Sequence, residues 1–161
     1  MAARMCKVTV DGEIREYKAG TTYQEIAADF QPHYEHQIVL VFAGGFHLQE
    51  LRKTLEKDCE LRFVTTGDAI GHAAYKRSMC FLLVKAVHDA AGHDKVERVR
   101  IHFSLDKGYY CTVEGRVLLD EEFLKKVSDR MRELSEQRIQ IDKRSVHTDD
   151  AIELFHRHGM Y

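Results

Sequence analysis

The sequence predicts an α+β chain of two parts, and three observations predict it. Short period-two strand patterns around an Asp-Gly turn fill the start of the chain, a long helix follows Asp68, and a charged amphipathic helix follows Asp120. Runs of alternating residues bury one face of a sheet, and apolar residues three and four apart bury one stripe of a helix.

The elements follow in order. Cys6-Lys7-Val8-Thr9-Val10 alternates, Asp11-Gly12 is a hairpin turn, and Glu13-Ile14-Arg15-Glu16-Tyr17 alternates again. Thr22 and Glu25 form a capping-box pattern at the start of a helix over Tyr23 to Phe30, which Pro32 ends. Ile38-Val39-Leu40-Val41-Phe42 is short, continuous and β-branched, as a central strand buried on both faces is, and Ala43-Gly44-Gly45 turns the chain. A polar stretch carrying Leu48, Leu51 and Leu55 leads to an alternating strand over Cys59 to Thr65. Strand, strand, helix, strand, strand is the order of a β-grasp arrangement.

Thr66-Gly67-Asp68 reads as a joint, dividing the chain into residues 1–66 and 67–161. The second part opens with a helix to about Ala91, whose Tyr75, Met79, Leu82 and Ala86 share one face as a buried stripe. Gly92 turns the chain into a strand over Val96 to Phe103, and Asp106-Lys107-Gly108 turns it into a second over Tyr109 to Val113. Asp120 caps a helix through Phe123, Val127, Met131 and Leu134. Ile139 and Ile141 mark a further strand leading to Val146. Thr148-Asp149-Asp150 caps a last helix from Ala151 to about His158, with Gly159 at its stop.

Composition narrows the function. With 161 residues, 44% of them hydrophobic, the chain is long enough for one medium domain or two small ones. Its 24 basic and 26 acidic residues leave a formal charge of −2, so RNA contact requires a local patch. The longest apolar run, Met79 to Val84, is far short of a membrane span, and no signal peptide is visible; the cytoplasm is the expected compartment. Cys6, Cys59, Cys80 and Cys111 lack CxxC spacing and read as free thiols. None of the ten histidines has an i, i+4 partner of its own kind, so no metal site is expected. No Gly-x-x-x-x-Gly-Lys-Ser/Thr occurs, so the chain by itself lacks the phosphate cradle of a P-loop kinase.

Several segments carry a resemblance to a known family. Val8-Thr9-Val10-Asp11-Gly12, Lys18-Ala19-Gly20-Thr21-Thr22, Asp58-Cys59-Glu60-Leu61-Arg62-Phe63, Ser78 with Leu82-Leu83, Asp106-Lys107-Gly108-Tyr109-Tyr110 and Asp150-Ala151-Ile152-Glu153-Leu154-Phe155 occur in the order found in the N-terminal region of threonyl-tRNA synthetases. That region joins a TGS domain, a β-grasp module, to the editing domain that alanyl-tRNA synthetases also carry. The resemblance implies a TGS domain over residues 1–66 and an editing-like α+β domain over 67–161, incomplete at its C-terminal end.

The departures bear on chemistry. Editing domains carry a His-x-x-x-His pair that, with a later Cys and His, activates water to hydrolyse a mischarged aminoacyl ester. The corresponding positions here are Arg77 and Phe81. Arginine keeps its proton near neutral pH and phenylalanine has no lone pair, so neither ligates a metal nor acts as a general base. Cys111 and Thr112 stand where the family pattern has Tyr then Asp. No catalytic residue is therefore expected, and no cofactor in this chain.

The closing Leu154-Phe155-His156-Arg157-His158-Gly159-Met160-Tyr161 is similar to the mid-chain sequence of bacterial uridine kinase-type nucleoside kinases that carry TGS and degenerate editing-like domains ahead of a P-loop kinase. The expectation is a non-catalytic ligand-binding or regulatory region of such a kinase, with ATP and magnesium used only by a downstream kinase domain. Arg77, Lys85 and His88 flank Phe81 on one helix side, a cation-and-aromatic arrangement that suits a nucleotide's phosphate and base. The bland reading makes Arg77 and Lys85 a solvated face and packs Phe81 on the sheet. The alternative function is an RNA- or tRNA-binding N-terminal region of a threonyl-tRNA synthetase-like protein, using Lys7, Arg15, Lys18, Arg52, Lys53 and Lys57, which are interleaved with Glu13, Glu16, Glu25, Glu50 and Glu56 so that the local potential is weak.

Overall fold

A computed structural model describes residues 4–157 apart from Lys107, Gln140 and Asp142, with only the backbone of His93 described. The sequence's reading of Lys107 in a turn, and of His158, Gly159 and the closing residues, lies outside this range. The chain forms two compact units, Met1–Ser78 and Met79–Tyr161.

The first unit is built on a five-stranded sheet. Strands β1 (Met5–Val10) and β2 (Glu13–Lys18) pair antiparallel about Asp11 and Gly12. Both turn residues have positive φ, 48° and 88°, as a two-residue hairpin turn with the right-handed twist of its strands requires. Helix α1 (Tyr23–Phe30) follows, and its capping box is complete: the Thr22 hydroxyl accepts from the Glu25 N–H, while the Glu25 carboxylate accepts from the Thr22 N–H at 2.8 Å. Pro32 then opens a short 3-10 turn, Gln31–His33. Strand β3 (Ile38–Ala43) pairs antiparallel with β4 (His47–Glu50), and β5 (Cys59–Thr65) enters between β1 and β3, parallel to β1 and antiparallel to β3. The strand order β2-β1-β5-β3-β4 is that of a β-grasp sheet, with α1 laid on one face.

Two expectations change here. The polar stretch after Gly45 contains a strand, β4, that local pattern does not reveal. The continuous run at Ile38 is second from the edge, and the centre belongs to β5. Consistent with that place, only Ile38 and Val41 of β3 are buried, and its other side chains are half-buried. The core joins Cys6, Val8 and Val10 of β1, Ile26 and Phe30 of α1, Val41, Leu61 and Phe63.

Thr66-Gly67-Asp68 forms a tight turn. The Asp68 carboxylate accepts from the Thr65 N–H at 2.7 Å and the Thr65 hydroxyl at 2.9 Å, bonds that hold its carboxyl below the usual range. The Asp68 carbonyl accepts from the His72 N–H, so helix α2 (Ala69–Ala91) starts directly from this turn. The buried stripe expected along α2 is only partly realised. Ala86 and Val87 are buried, Met79 and Leu82 are half-buried, and Tyr75 is 47% exposed. Apolar residues run round this helix between Met79 and Val84, so the pattern names no single face.

In the second unit, β6 (Val96–Leu105) and β7 (Gly108–Gly115) form an antiparallel ribbon, longer at both ends than the sequence indicates. Helix α3 (Glu121–Glu136) has Asp120 as its cap, the carboxylate accepting from the Phe123 N–H at 2.8 Å. Phe123, Val127 and Leu134 pack with Ala86, Val87 and Val96 as the core. The expected strand from Ile139 to Val146 is absent among the described residues. Arg138 takes a positive φ of 49° to end α3, Ile139 packs back on the core, and Ile141 and Val146 are exposed and lie in no strand. Helix α4 (Thr148–Arg157) begins three residues earlier than expected, with Asp149 and Asp150 inside its first turn, and none of its described side chains is buried.

Candidate functional site

The four side chains singled out on α2 have different surroundings. Arg77 is exposed at the end of the first unit. In the second unit Phe81 is 59% exposed, so it is not packed on a sheet, and His88 is half-buried. Lys85 is turned along its own helix: its ammonium lies 3.1 Å from the Asp89 carboxylate, one turn on. Arg130 of α3 reaches the same carboxylate from Nε at 2.9 Å and also holds Glu133 at 2.7 Å. The charge of Lys85 is therefore shared with an acid that sequence reasoning did not single out.

Asp89 fastens α3 to α2. Burial pushes its carboxyl up, and the hydrogen bonds from Arg130 and Lys85 more than offset that, leaving it below its ordinary value. A carboxyl depressed in the folded state stabilises above the unfolded value of about 3.9, and that stability is lost as pH falls through the lower folded value. We expect Asp89→Asn to lower stability at pH 7 by about 1–3 kcal/mol, the scale of hydrogen bonds to a charged group. Urea midpoints measured from pH 7 down to pH 2.5 should show a shallower acid slope for the variant. An unchanged slope refutes this role.

Two further features lie outside the sequence-based list. On the ribbon, His102 and Phe103 of β6 meet Tyr110 of β7, with ring centroids 5.3 and 5.5 Å apart. Phe103 is 55% and Tyr110 46% exposed, and His102 Nε2 is 2.9 Å from the Thr112 hydroxyl. Arg100, paired with Glu114, lies two residues before His102 on the same strand. The signal for this cluster was present as aromatic residues on both sides of a turn, but the register that joins them was not. In the first unit, a cleft of about 430 Å³ opens beside the β3–β4 turn, between His47, Lys53, Lys57 and the N-terminal end of α1.

Among the described residues, no group of three or more His, Cys, Asp or Glu side chains is placed to hold a metal ion. The four cysteines are free thiols; burial pushes the Cys59 and Cys111 thiols up from their ordinary values, so both are protonated at neutral pH. No described helix is long and apolar enough to cross a membrane.

A five-stranded β-grasp sheet followed by a helix–ribbon–helix unit defines the class, a mixed α+β chain. The relatives agree with that class. The chain is 31% identical over 148 residues to the threonine–tRNA ligase of Thermotoga maritima, and 30% identical over 149 residues to that of Thermotoga neapolitana. It is 28% identical over 152 residues to the threonine–tRNA ligase of Francisella philomiragia. These matches take in 90%, 92% and 92% of this chain, but only 22%, 22% and 23% of the relatives. The chain thus spans about a fifth of the length of the curated relatives it matches. No family model matches it.

Proposed function

We propose that this chain is a non-hydrolytic RNA-recognition region of a threonyl-tRNA synthetase-like protein, corresponding to the N-terminal TGS and editing-like part. The observation that carries this reading is the similarity to threonine–tRNA ligases across nine-tenths of the chain; the non-hydrolytic part rests on the resemblance by which Arg77 and Phe81 correspond to the editing histidines. The second unit offers a surface suited to the task. Exposed His102, Phe103 and Tyr110 are flat faces on which unpaired bases stack, and stacking on an aromatic ring contributes about 1–3 kcal/mol per base. With a formal charge of −2, the chain relies on such contacts more than on charge, and salt weakens what phosphate contacts it makes.

The test is tRNA binding at low salt with a parallel deacylation assay. The expected result is saturable binding, weakened roughly fivefold to a hundredfold when Phe103 and Tyr110 are both replaced by Ala, with no release of amino acid from mischarged tRNA above the uncatalysed rate. Binding that is absent at low salt, or unchanged in the double variant, refutes the surface. Deacylation lost on Arg77→Ala refutes the non-hydrolytic reading. The relatives described above are threonine–tRNA ligases, which favours this reading over a ligand-binding region ahead of a nucleoside kinase. The kinase reading rests on residues 154–161, and a P-loop encoded downstream is the observation that supports it.

A further inference from the structure

The cleft of the first unit is lined by Lys53, Lys57 and His47, and the stacking surface proposed for RNA in the second unit does not use it. Its walls are fixed by the backbone. The N–H groups that begin α1, of Tyr23 and Gln24, donate to the carbonyls of Lys53 at 2.9 Å and Leu51 at 2.7 Å. Leu55 and the Gly20–Thr21 segment exchange two more bonds, each 2.8 Å, and Leu55 itself is fully buried. The loop carrying Lys53 and Lys57 is therefore held against α1 from both sides, so the cleft is preformed rather than assembled by a ligand.

Its lining is polar in a particular way. Lys53 and Lys57 present two ammonium groups with no ion-pair partner among the described residues, and His47 adds an imidazole from the start of β4. Tyr23 also lines it, 8% exposed, with its hydroxyl unbonded among the described residues and the Glu56 carboxylate close enough to act on it. Burial first, and then the neighbouring Glu56 carboxylate, push the phenol up from its ordinary value, so at neutral pH it is a hydrogen-bond donor. The hydroxyl is not among the buried polar atoms left without a partner, so it opens to solvent at the cleft, where water or a ligand accepts from it.

We propose that this cleft binds a phosphate monoester of mononucleotide or sugar-phosphate size. The monoester carries a charge of about −1.5 to −2 at neutral pH, which two lysines match where a carboxylate leaves one ammonium unmatched. The Tyr23 hydroxyl donates to a phosphate oxygen, and Glu56 at the rim accepts from a sugar hydroxyl or a base amino group. A volume of about 430 Å³ falls within the range of small-molecule sites.

The experiment is a titration of the isotopically labelled chain, followed by amide spectra and calorimetry, with uridine monophosphate, glucose 6-phosphate, inorganic phosphate and uridine as probes. The expected result is saturable shifts at Gly44, Gln49 and Thr54 with at least one ester, and none with uridine. Tyr23→Phe, which keeps the buried ring, is expected to weaken binding about fivefold to tenfold, and the exposed pair Lys53→Gln/Lys57→Gln at least tenfold. The spectra also report whether each variant is folded. The site is overturned if no ester shifts these amides, if uridine binds as well as its phosphate, or if both variants bind as the parent does. A short RNA with a 5′-hydroxyl that binds this cleft as tightly as its 5′-phosphorylated form also overturns it, because the contact is then to RNA backbone.

Discussion

Replacing Phe30 by Ala is expected to cost the first unit about 3–5 kcal/mol, the range for removing a fully buried aromatic ring. Phe30 is 2% exposed, at the end of α1 where the helix meets the sheet. Its ring packs on Phe63 with centroids 5.8 Å apart and meets His33 edge-on at 6.1 Å. The guanidinium of Arg15 covers it 4.1 Å from the centroid, so the substitution also strips a cation from its aromatic face. Small domains hold only about 5–15 kcal/mol in all, so much of the first unit's stability is at stake. Urea denaturation followed by circular dichroism, with amide spectra to separate the two units, measures the effect. Phe46→Ala is the control: at 94% exposure it should change the midpoint by less than about 0.5 kcal/mol. Equal midpoints for the two variants contradict the assigned core.

Replacing Gly115 by Ala is expected to cost the second unit about 2–5 kcal/mol, combining backbone strain with a close contact. Gly115 ends β7 with φ at +136°, a conformation that residues with a Cβ rarely adopt. An added Cβ lies 2.2 Å from the Lys95 carbonyl oxygen and 3.0 Å from the Glu97 nitrogen, both backbone atoms that cannot swing aside. The same carbonyl accepts from the Arg116 N–H at 2.8 Å, so relieving the contact breaks the bond that closes the ribbon. Gly108→Ala, at the other end of β7, meets nothing nearer than 3.8 Å and should be close to neutral. Hydrogen exchange at the β6 and β7 amides is the sensitive measurement. Protection retained at the level of the parent in Gly115→Ala contradicts the contact.

Elements whose signals are local were legible. The Thr22–Glu25 capping box, the Asp11-Gly12 turn and the Asp120 cap each rest on residues within four positions of one another, and each appears with the expected bonds. Helix α3 was legible because Phe123, Val127, Met131 and Leu134 are set against a charged remainder, which leaves one orientation that buries apolar surface. Helix α2 was legible as a helix to Ala91, but its buried face was not, because its apolar residues point in several directions and only its neighbours select among them. Strand β4 escaped notice because Leu48, Gln49 and Glu50 become a strand by pairing with Phe42, Val41 and Leu40, not through a pattern of their own. The reverse error, a strand from Ile139 to Val146, came from alternation alone: none of the described residues there is in a strand.

At the candidate sites the division is the same. The residue types at Arg77 and Phe81, neither able to bind a metal or take a proton, and the lack of a P-loop pattern in the sequence need no coordinates. That Lys85 is engaged by Asp89, and Asp89 by Arg130 forty-one positions away, follows only from the packing of α3 on α2. Likewise Tyr23 reads in the sequence as a helix-core residue, and it is one; only the folded loop that carries Lys53 and Lys57 gives its hydroxyl a cleft to face. The sequence by itself determined the α+β class and the caps and turns, because each depends on the identity of near neighbours. The tertiary structure decided the strand order, the exposed face of α2, the charge partners and the cleft, because each is made by groups that meet only when distant segments are brought together.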